Sequence, residues 1–233
     1  MTTATADVVM RMIRALTRAV CRIDDAALAR VPAHGPLIIA ANHINFLEVP
    51  IIYTHLRPRP VTGLAKAESW HGPLAWFFQL AGAIPLRRGE GDAAAFRKAL
   101  AALQQGYVLG IAPEGTRSYT GQLQRAHPGV TLLALHSGAP VMPAAYWGGE
   151  AFWDNLKRLR RTDFHIAVGP AYRVVVDGPV NQSVRQAVAD EIMIQIARLL
   201  PPAYHGLYAN RAAALPAAVD RRRPSASLSQ PRL

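Results

Sequence analysis

Pro36-Leu37-Ile38-Ile39-Ala40-Ala41-Asn42-His43-Ile44-Asn45-Phe46-Leu47-Glu48 is the stretch whose reading decides the fold. Six apolar residues in a row, closed by a polar one, predict a buried strand. Val49 to Leu56 reads as a helix, so His43 is released from a strand end with a carboxylate five positions on. That is the arrangement of a general base and its orienting partner. The spacing Asn45 to Glu48 also fits a capping box, in which Glu48 holds the helix start. The two roles are compatible, because a glutamate in the first turn points back toward the preceding loop. A lone histidine is equally open to a structural role.

The pattern repeats outward from this stretch. Short strands are expected at 59–65, 83–86, 107–112, 141–146, 164–168 and 172–176, with helices at about 73–80, 92–105, 129–136 and 184–200. Pro85 would remove a ladder donor from a central strand. Alternation of strand and helix predicts an α/β domain with a mixed, largely parallel sheet flanked by helices. His43, Arg87 and the loop from Glu114 to Arg117 each follow directly on a strand. In open α/β sheets the ligand crevice lies outside those carboxyl ends, so three clusters far apart in sequence converge there.

Pro113-Glu114-Gly115-Thr116-Arg117 places a permissive glycine, a hydroxyl and a guanidinium at a strand end. Such a grouping holds an anion through backbone N–H groups and charge-assisted bonds, or is a loop closed by a Glu114–Arg117 ion pair. Arg87 and Arg88 form either a second phosphate contact or a solvated pair. Trp76-Phe77-Phe78 reads as core or as the lining of a hydrophobic groove. The chain has no Gly-x-Ser-x-Gly elbow, no P-loop, no Gly-x-Gly-x-x-Gly after its first strand and no metal-ligand spacing. A general base without a neighbouring nucleophile implies that it activates a hydroxyl of the substrate.

A formal charge of +11 over 233 residues points to an anionic partner, while 51% hydrophobic content is that of a folded domain. Nucleic acid is not the expected partner, since no recognised binding motif accompanies the charge. One cysteine, Cys21, excludes an internal disulfide framework. The longest uncharged apolar stretch, residues 72–86, is 15 residues long, short of the ~20 that span a bilayer as a helix.

Residues 1–24 are expected to hold a basic amphipathic helix over 6–23. Val9, Met12, Ile13, Leu16, Val20 and Ile23 lie on one side, flanked by Arg11, Arg14, Arg18 and Arg22. This suits an interfacial position on an anionic membrane surface or an ordinary surface helix. Residues 25–205 form the main domain, and 206–233 read as a basic, disordered tail.

Four stretches resemble the motifs of the glycerolipid acyltransferases, which include 1-acyl-glycerol-3-phosphate and other lysophospholipid acyltransferases. Asn42-His43 with Glu48 resembles His-x4-Asp. Gly82 to Arg87, Pro113 to Ser118 and Ala139 to Pro143 resemble the second to fourth motifs, in order, across residues 30–175. The resemblance implies a glycerol-3-phosphate acyltransferase-like fold on the cytoplasmic face of the membrane, attached peripherally. It makes His43 the base and Glu48 its partner. Arg87, Glu114, Gly115, Thr116 and Arg117 become acceptor contacts, with Lys66 a weaker one. It requires no cofactor or metal, only acyl-CoA or acyl carrier protein as co-substrate and a lysophospholipid acceptor. Glutamate stands at 48 where the family carries aspartate, displacing the carboxylate by roughly one bond length, about 1.5 Å. His127 stands where many relatives carry lysine. The departure at 48 leaves a second reading, a catalytically inactive lipid-binding homologue.

Overall fold

The computed structural model describes residues 3–87 and 91–213. Seven strands form one sheet: β1 (Cys21–Asp24), β2 (Leu37–Ala41), β3 (Val61–Lys66), β4 (Ile84–Leu86), β5 (Val108–Ile111), β6 (Val141–Trp147) and β7 (Thr162–Val168). Their spatial order is β1-β7-β6-β2-β5-β3-β4. From β6 to β4 all neighbours are parallel; β7 is antiparallel to β6, and β1 is parallel to β7. The sheet is therefore mixed and largely parallel.

The helices are α1 (Thr3–Val20), α2 (Glu48–His55), α3 (Gly72–Leu80), α4 (Ala93–Gln104), α5 (Gly129–Ser137), α6 (Phe152–Lys157), α7 (Gln182–Ala197) and α8 (Ala209–Ala213). Side chains alternate along β2, so Leu37, Ile39 and Ala41 enter one core while Ile38 and Ala40 enter the other. The first core includes Met10 of α1 and Ile51 of α2. The second is filled by α4, α5 and α7 through Leu103, Leu133, Ile192 and Met193. Burial on both faces is why this strand reads as an unbroken apolar run. Pro85 sits in the edge strand β4, where its missing donor costs no central ladder bond. Asp92 caps α4, its Oδ1 accepting from Ala94 N–H (3.1 Å) and Ala95 N–H (3.0 Å).

The structure differs from the sequence expectation in four places. The N-terminal helix stops at Val20, and Cys21–Asp24 is an edge strand in register with Thr162 to His165. Met10, Thr17 and half-buried Ile13 face inward on α1, which leaves Met12 and Leu16 exposed rather than on one face with Ile13. Residues 172–176 make only a bridge from Tyr172 to Val141, just past the point where β7 stops pairing with β6 at Ala144. Residues 206–213, read as the start of the tail, are folded. Tyr208 is buried and donates its O–H to Asp190 Oδ1 (2.9 Å) while accepting from Ala126 N–H (3.1 Å). Arg88 and the rest of the expected tail lie outside the described residues.

Trp76-Phe77-Phe78 divides its roles. Phe77 packs edge-on against Tyr53, Phe78 against Trp70, and Trp76 is exposed. No helix among the described residues is long and apolar enough to cross a membrane.

Candidate active site

Five parallel strands end on one side of the molecule, and β2 lies between β6 and β5, at the centre of the seven-stranded sheet. The four residues after Ala41 are irregular, which frees His43 from the ladder before Glu48 opens α2. Glu48 is 4% exposed, and its carboxylate is filled by three donors. Oε1 accepts from Ile44 N–H and Asn45 N–H, both at 2.7 Å, while Oε2 bonds His43 Nδ1. An ionised carboxylate only accepts, so Nδ1 carries the proton and Nε2 keeps its lone pair. No described residue bonds Nε2, and a quarter of the side chain, 25%, is open to solvent. A carboxylate on one ring nitrogen and an open second nitrogen is the geometry by which triads orient an imidazole.

The longer acid is used rather than merely tolerated. A glutamate at the first turn of α2 spans from the helix to two loop amides and the imidazole together. Glu48→Asp is expected to keep the fold but to lose one of these contacts, lowering kcat by ~10- to 100-fold with KM little changed. Steady-state kinetics checks this; equal or higher kcat in the aspartate variant would contradict the assigned geometry. The capping box is half made. Glu48 reaches back to Asn45 N–H, but Asn45 Oδ1 accepts from Leu47 N–H (3.0 Å), closing a turn before the helix.

Two asparagines fasten this loop to β6, a role the sequence did not reveal. Asn42 Nδ2 donates to Tyr146 O and its Oδ1 accepts from Tyr146 N–H, both at 2.8 Å. Asn45 Nδ2 donates to Gly149 O. Buried amides paired with backbone in this way rigidify a loop, because leaving them unpaired is costly. The signal available was an asparagine on each side of the histidine, at the end of an apolar run.

The loop after β5 lies against the other side of His43. Ser118 N–H donates to His43 O (2.7 Å), and His43 N–H donates to Glu114 Oε1 (3.2 Å). Glu114 Oε2 accepts from Gln124 N–H (2.9 Å). Glu114 is 2% exposed, so it forms no ion pair with Arg117, and its oxygens are spent on backbone amides rather than on a substrate. It braces the His43 backbone. Burial pushes its carboxyl up to about 7, against the pull of the Gln124 and His43 amides. Gly115 has φ +67°, and a Cβ there would lie 2.8 Å from His127 Cδ2. The turn therefore needs glycine both for its backbone angle and for the imidazole packed over it.

Thr116 and Arg117 are exposed at the tip of this loop, with the Arg117 guanidinium 5.8 Å from the Tyr119 ring centre. Lys66 ends β3, and Arg87 follows β4 with its N–H on Asp92 Oδ2 (3.0 Å). Both are exposed. With strands ~4.8 Å apart, the β5 loop is one strand from His43, Lys66 two (~10 Å) and Arg87 three (~14 Å). Of these cations only Arg117 is on the loop bonded to His43, adjacent to Ser118. The strand ends thus bring the expected residues to one side of the sheet but grade them by distance. Among the described residues no cluster of histidine, cysteine, aspartate and glutamate could hold a metal.

Fold and site together define a mixed α/β protein with a carboxylate-bonded histidine at the carboxyl end of its sheet. The chain belongs to the Acyltransferase family, whose model matches residues 22–147. It is 36% identical over 112 residues to a lyso-ornithine lipid O-acyltransferase of Pseudomonas aeruginosa, covering 47% of this chain and 42% of that protein. It is 28% identical over 171 residues to a 1-acyl-sn-glycerol-3-phosphate acyltransferase of the same organism, covering 70% and 65%. A 1-acyl-sn-glycerol-3-phosphate acyltransferase of Bacillus subtilis matches at 27% over 129 residues, covering 55% and 64%. The chain thus spans between two fifths and two thirds of the length of these curated relatives. Its fold is similar to the crystal structure of the 1-acyl-sn-glycerophosphate acyltransferase PlsC from Thermotoga maritima, with TM-score 0.59, 21% identity, and 80% and 77% coverage.

Proposed function

We propose that this protein transfers a fatty acyl group from a thioester, acyl-CoA or acyl carrier protein, to the free hydroxyl of a lysophospholipid, with 1-acyl-glycerol-3-phosphate as the leading acceptor. The observation that carries it is the Glu48-held imidazole, whose Nε2 has no partner among the described residues and whose backbone is bonded to the loop that carries Arg117. The acceptor hydroxyl gives its proton to His43 Nε2 while its oxygen attacks the thioester carbonyl. The tetrahedral intermediate collapses with loss of the thiolate, which takes the proton back from the imidazolium. Glu48 stabilises that imidazolium and fixes the ring. No protein nucleophile and no acyl-enzyme are needed.

The acceptor phosphate is held by Arg117 and Thr116 on the amide-rich loop around Gly115, with Lys66 and Arg87 farther out. The exposed stripe of α1, Val8, Met12 and Leu16, with Arg11 beside it, supports a peripheral seat on an anionic leaflet, where the acceptor would lie. A second acceptor class is favoured by the 36% identity to the lyso-ornithine lipid enzyme. Ornithine carries an amine and a single-charged carboxylate in place of a phosphate, so the two acceptors make different demands on Arg117.

The test is an acyl-transfer assay in mixed micelles with both donors and both lyso acceptors, run beside Arg117→Ala. With lysophosphatidate, Arg117→Ala is expected to raise KM by ~10- to 100-fold, the loss of a charge-assisted bond, with a smaller change in kcat. The lyso-ornithine acceptor, whose anion is a single-charged carboxylate, should register a smaller loss. Failure to acylate either acceptor from either donor would sink the reading.

A further inference from the structure

The segment after β6 carries an exposed surface that the acyl-transfer chemistry does not use. Trp153 is 56% exposed on α6, Leu156 is exposed one turn on, and Leu159 stands 95% exposed in the turn that follows. Leu159 also has φ +54°, the left-handed region that a branched side chain avoids. A bulky apolar residue held there, at the tip of a turn and touching almost nothing, gains no packing in return for its backbone geometry. Lys157, Arg158 and Arg160 surround it, all exposed and free of ion pairs among the described residues, although Asp154 lies within a turn of the first two.

The topology sets this turn at the same end of the sheet as the base. β6 leaves the sheet at the His43 end, and β7 returns antiparallel to it, so α6 and its turn lie beyond that end. Phe46, in the His43 loop, stacks on Trp153 with ring centres 5.5 Å apart. β1 runs parallel to β7, so the carboxyl end of α1 is there too. Arg161 ties the two together, its Nη2 donating to Arg18 O (2.6 Å) and Cys21 O (2.8 Å).

We infer that the α6 turn is a second membrane-insertion point, in which Leu159 enters the apolar boundary of an anionic leaflet and Arg158 and Arg160 bind lipid phosphates. It rests on the reading that the acceptor lies in a membrane, and it adds a contact beside the catalytic loop to that of α1. Charge complementarity selects the occupant: unpaired cations around an apolar tip match anionic headgroups over acyl chains. With α1 it gives a two-point mount, fixing the orientation of the crevice to the leaflet as well as its attachment.

The test is sedimentation of the full chain with vesicles of phosphatidylglycerol and phosphatidylcholine, and with phosphatidylcholine alone. Leu159→Gly relieves the left-handed backbone, so it is expected to melt at or above the parent temperature while lowering partition on the order of tenfold. Leu159→Asn, also at home in that geometry, should do the same. Arg158→Ser with Arg160→Ser should weaken binding to the anionic vesicles by ~5-fold per charge, an effect lost at high salt. Unchanged partition in both Leu159 variants overturns the proposal, as does parent chain that ignores vesicles altogether. Unchanged vesicle binding with selective loss of turnover on acyl carrier protein would assign the cations to an acidic carrier instead, and overturns it too. Partition is read without turnover, so absence of acyl transfer and absence of insertion are separate results.

Discussion

Replacing His43 by alanine should lower acyl transfer by about a thousandfold while leaving the protein folded. A positioned general base contributes ~10²- to 10⁴-fold, and this one is the only group among the described residues with both an orienting carboxylate and an unpartnered ring nitrogen at the strand ends. The folded state loses little by comparison. The ring is 25% exposed, and Glu48 keeps its bonds from Ile44 N–H and Asn45 N–H, so one charge-assisted bond is lost, ~1.5–3 kcal/mol. The split between activity and stability is the diagnostic. Turnover and thermal melting measured on the same sample check it, and a variant retaining more than a tenth of parental turnover would remove His43 from the chemistry. A histidine that served only to brace the loop would show the reverse pattern, a lower melting temperature with activity falling in proportion to folded protein.

What the sequence disclosed and what it hid follow from which interactions are local. β2 was legible because burial on both faces leaves an unbroken apolar run, and the pairing of His43 with Glu48 because five residues of loop and helix start set it. β1 was not. Val20 and Ile23 continue the helical period of α1, and only pairing with β7, about 140 residues away, turns Cys21 to Asp24 into a strand. The surroundings of Glu114 were hidden for a related reason. Next to Gly-Thr-Arg in sequence it reads as a loop carboxylate facing anion or arginine, but desolvation and the amides of His43 and Gln124 are properties of the packed loop. Residues 206–213 carry a basic, alanine-rich composition and one anchor, Tyr208, whose partners Asp190 and Ala126 lie on other elements. Motifs at strand ends were readable; the order of the strands, and so the distance from His43 to each cation, was not.

Glu114→Gln should change how stability depends on pH. In the folded chain the carboxyl is pushed up to about 7 by burial, from an ordinary value of 4.5, and the neighbouring Glu48 charge adds to the rise. Below 4.5 both folded and unfolded forms are protonated. As pH climbs from there, the unfolded chain ionises while the folded one keeps its proton, so this group's contribution declines until pH passes about 7. At 1.36 kcal/mol per unit the decline is ~3 kcal/mol. Glutamine cannot titrate, but its amide N–H must face one of the two backbone N–H groups that Glu114 now satisfies, at ~1–3 kcal/mol independent of pH. The variant should therefore be less stable than the parent near pH 5, and the gap should close or invert by pH 8. Urea unfolding at several pH values reads it directly. A gap that stays constant from pH 5 to 8 would mean that Glu114 ionises at an ordinary pH and that its burial is relieved. The same substitution loosens the amide that fixes His43, so kcat should fall by ~10-fold or more with KM little altered. A direct acceptor contact would show the opposite division, with KM carrying the loss.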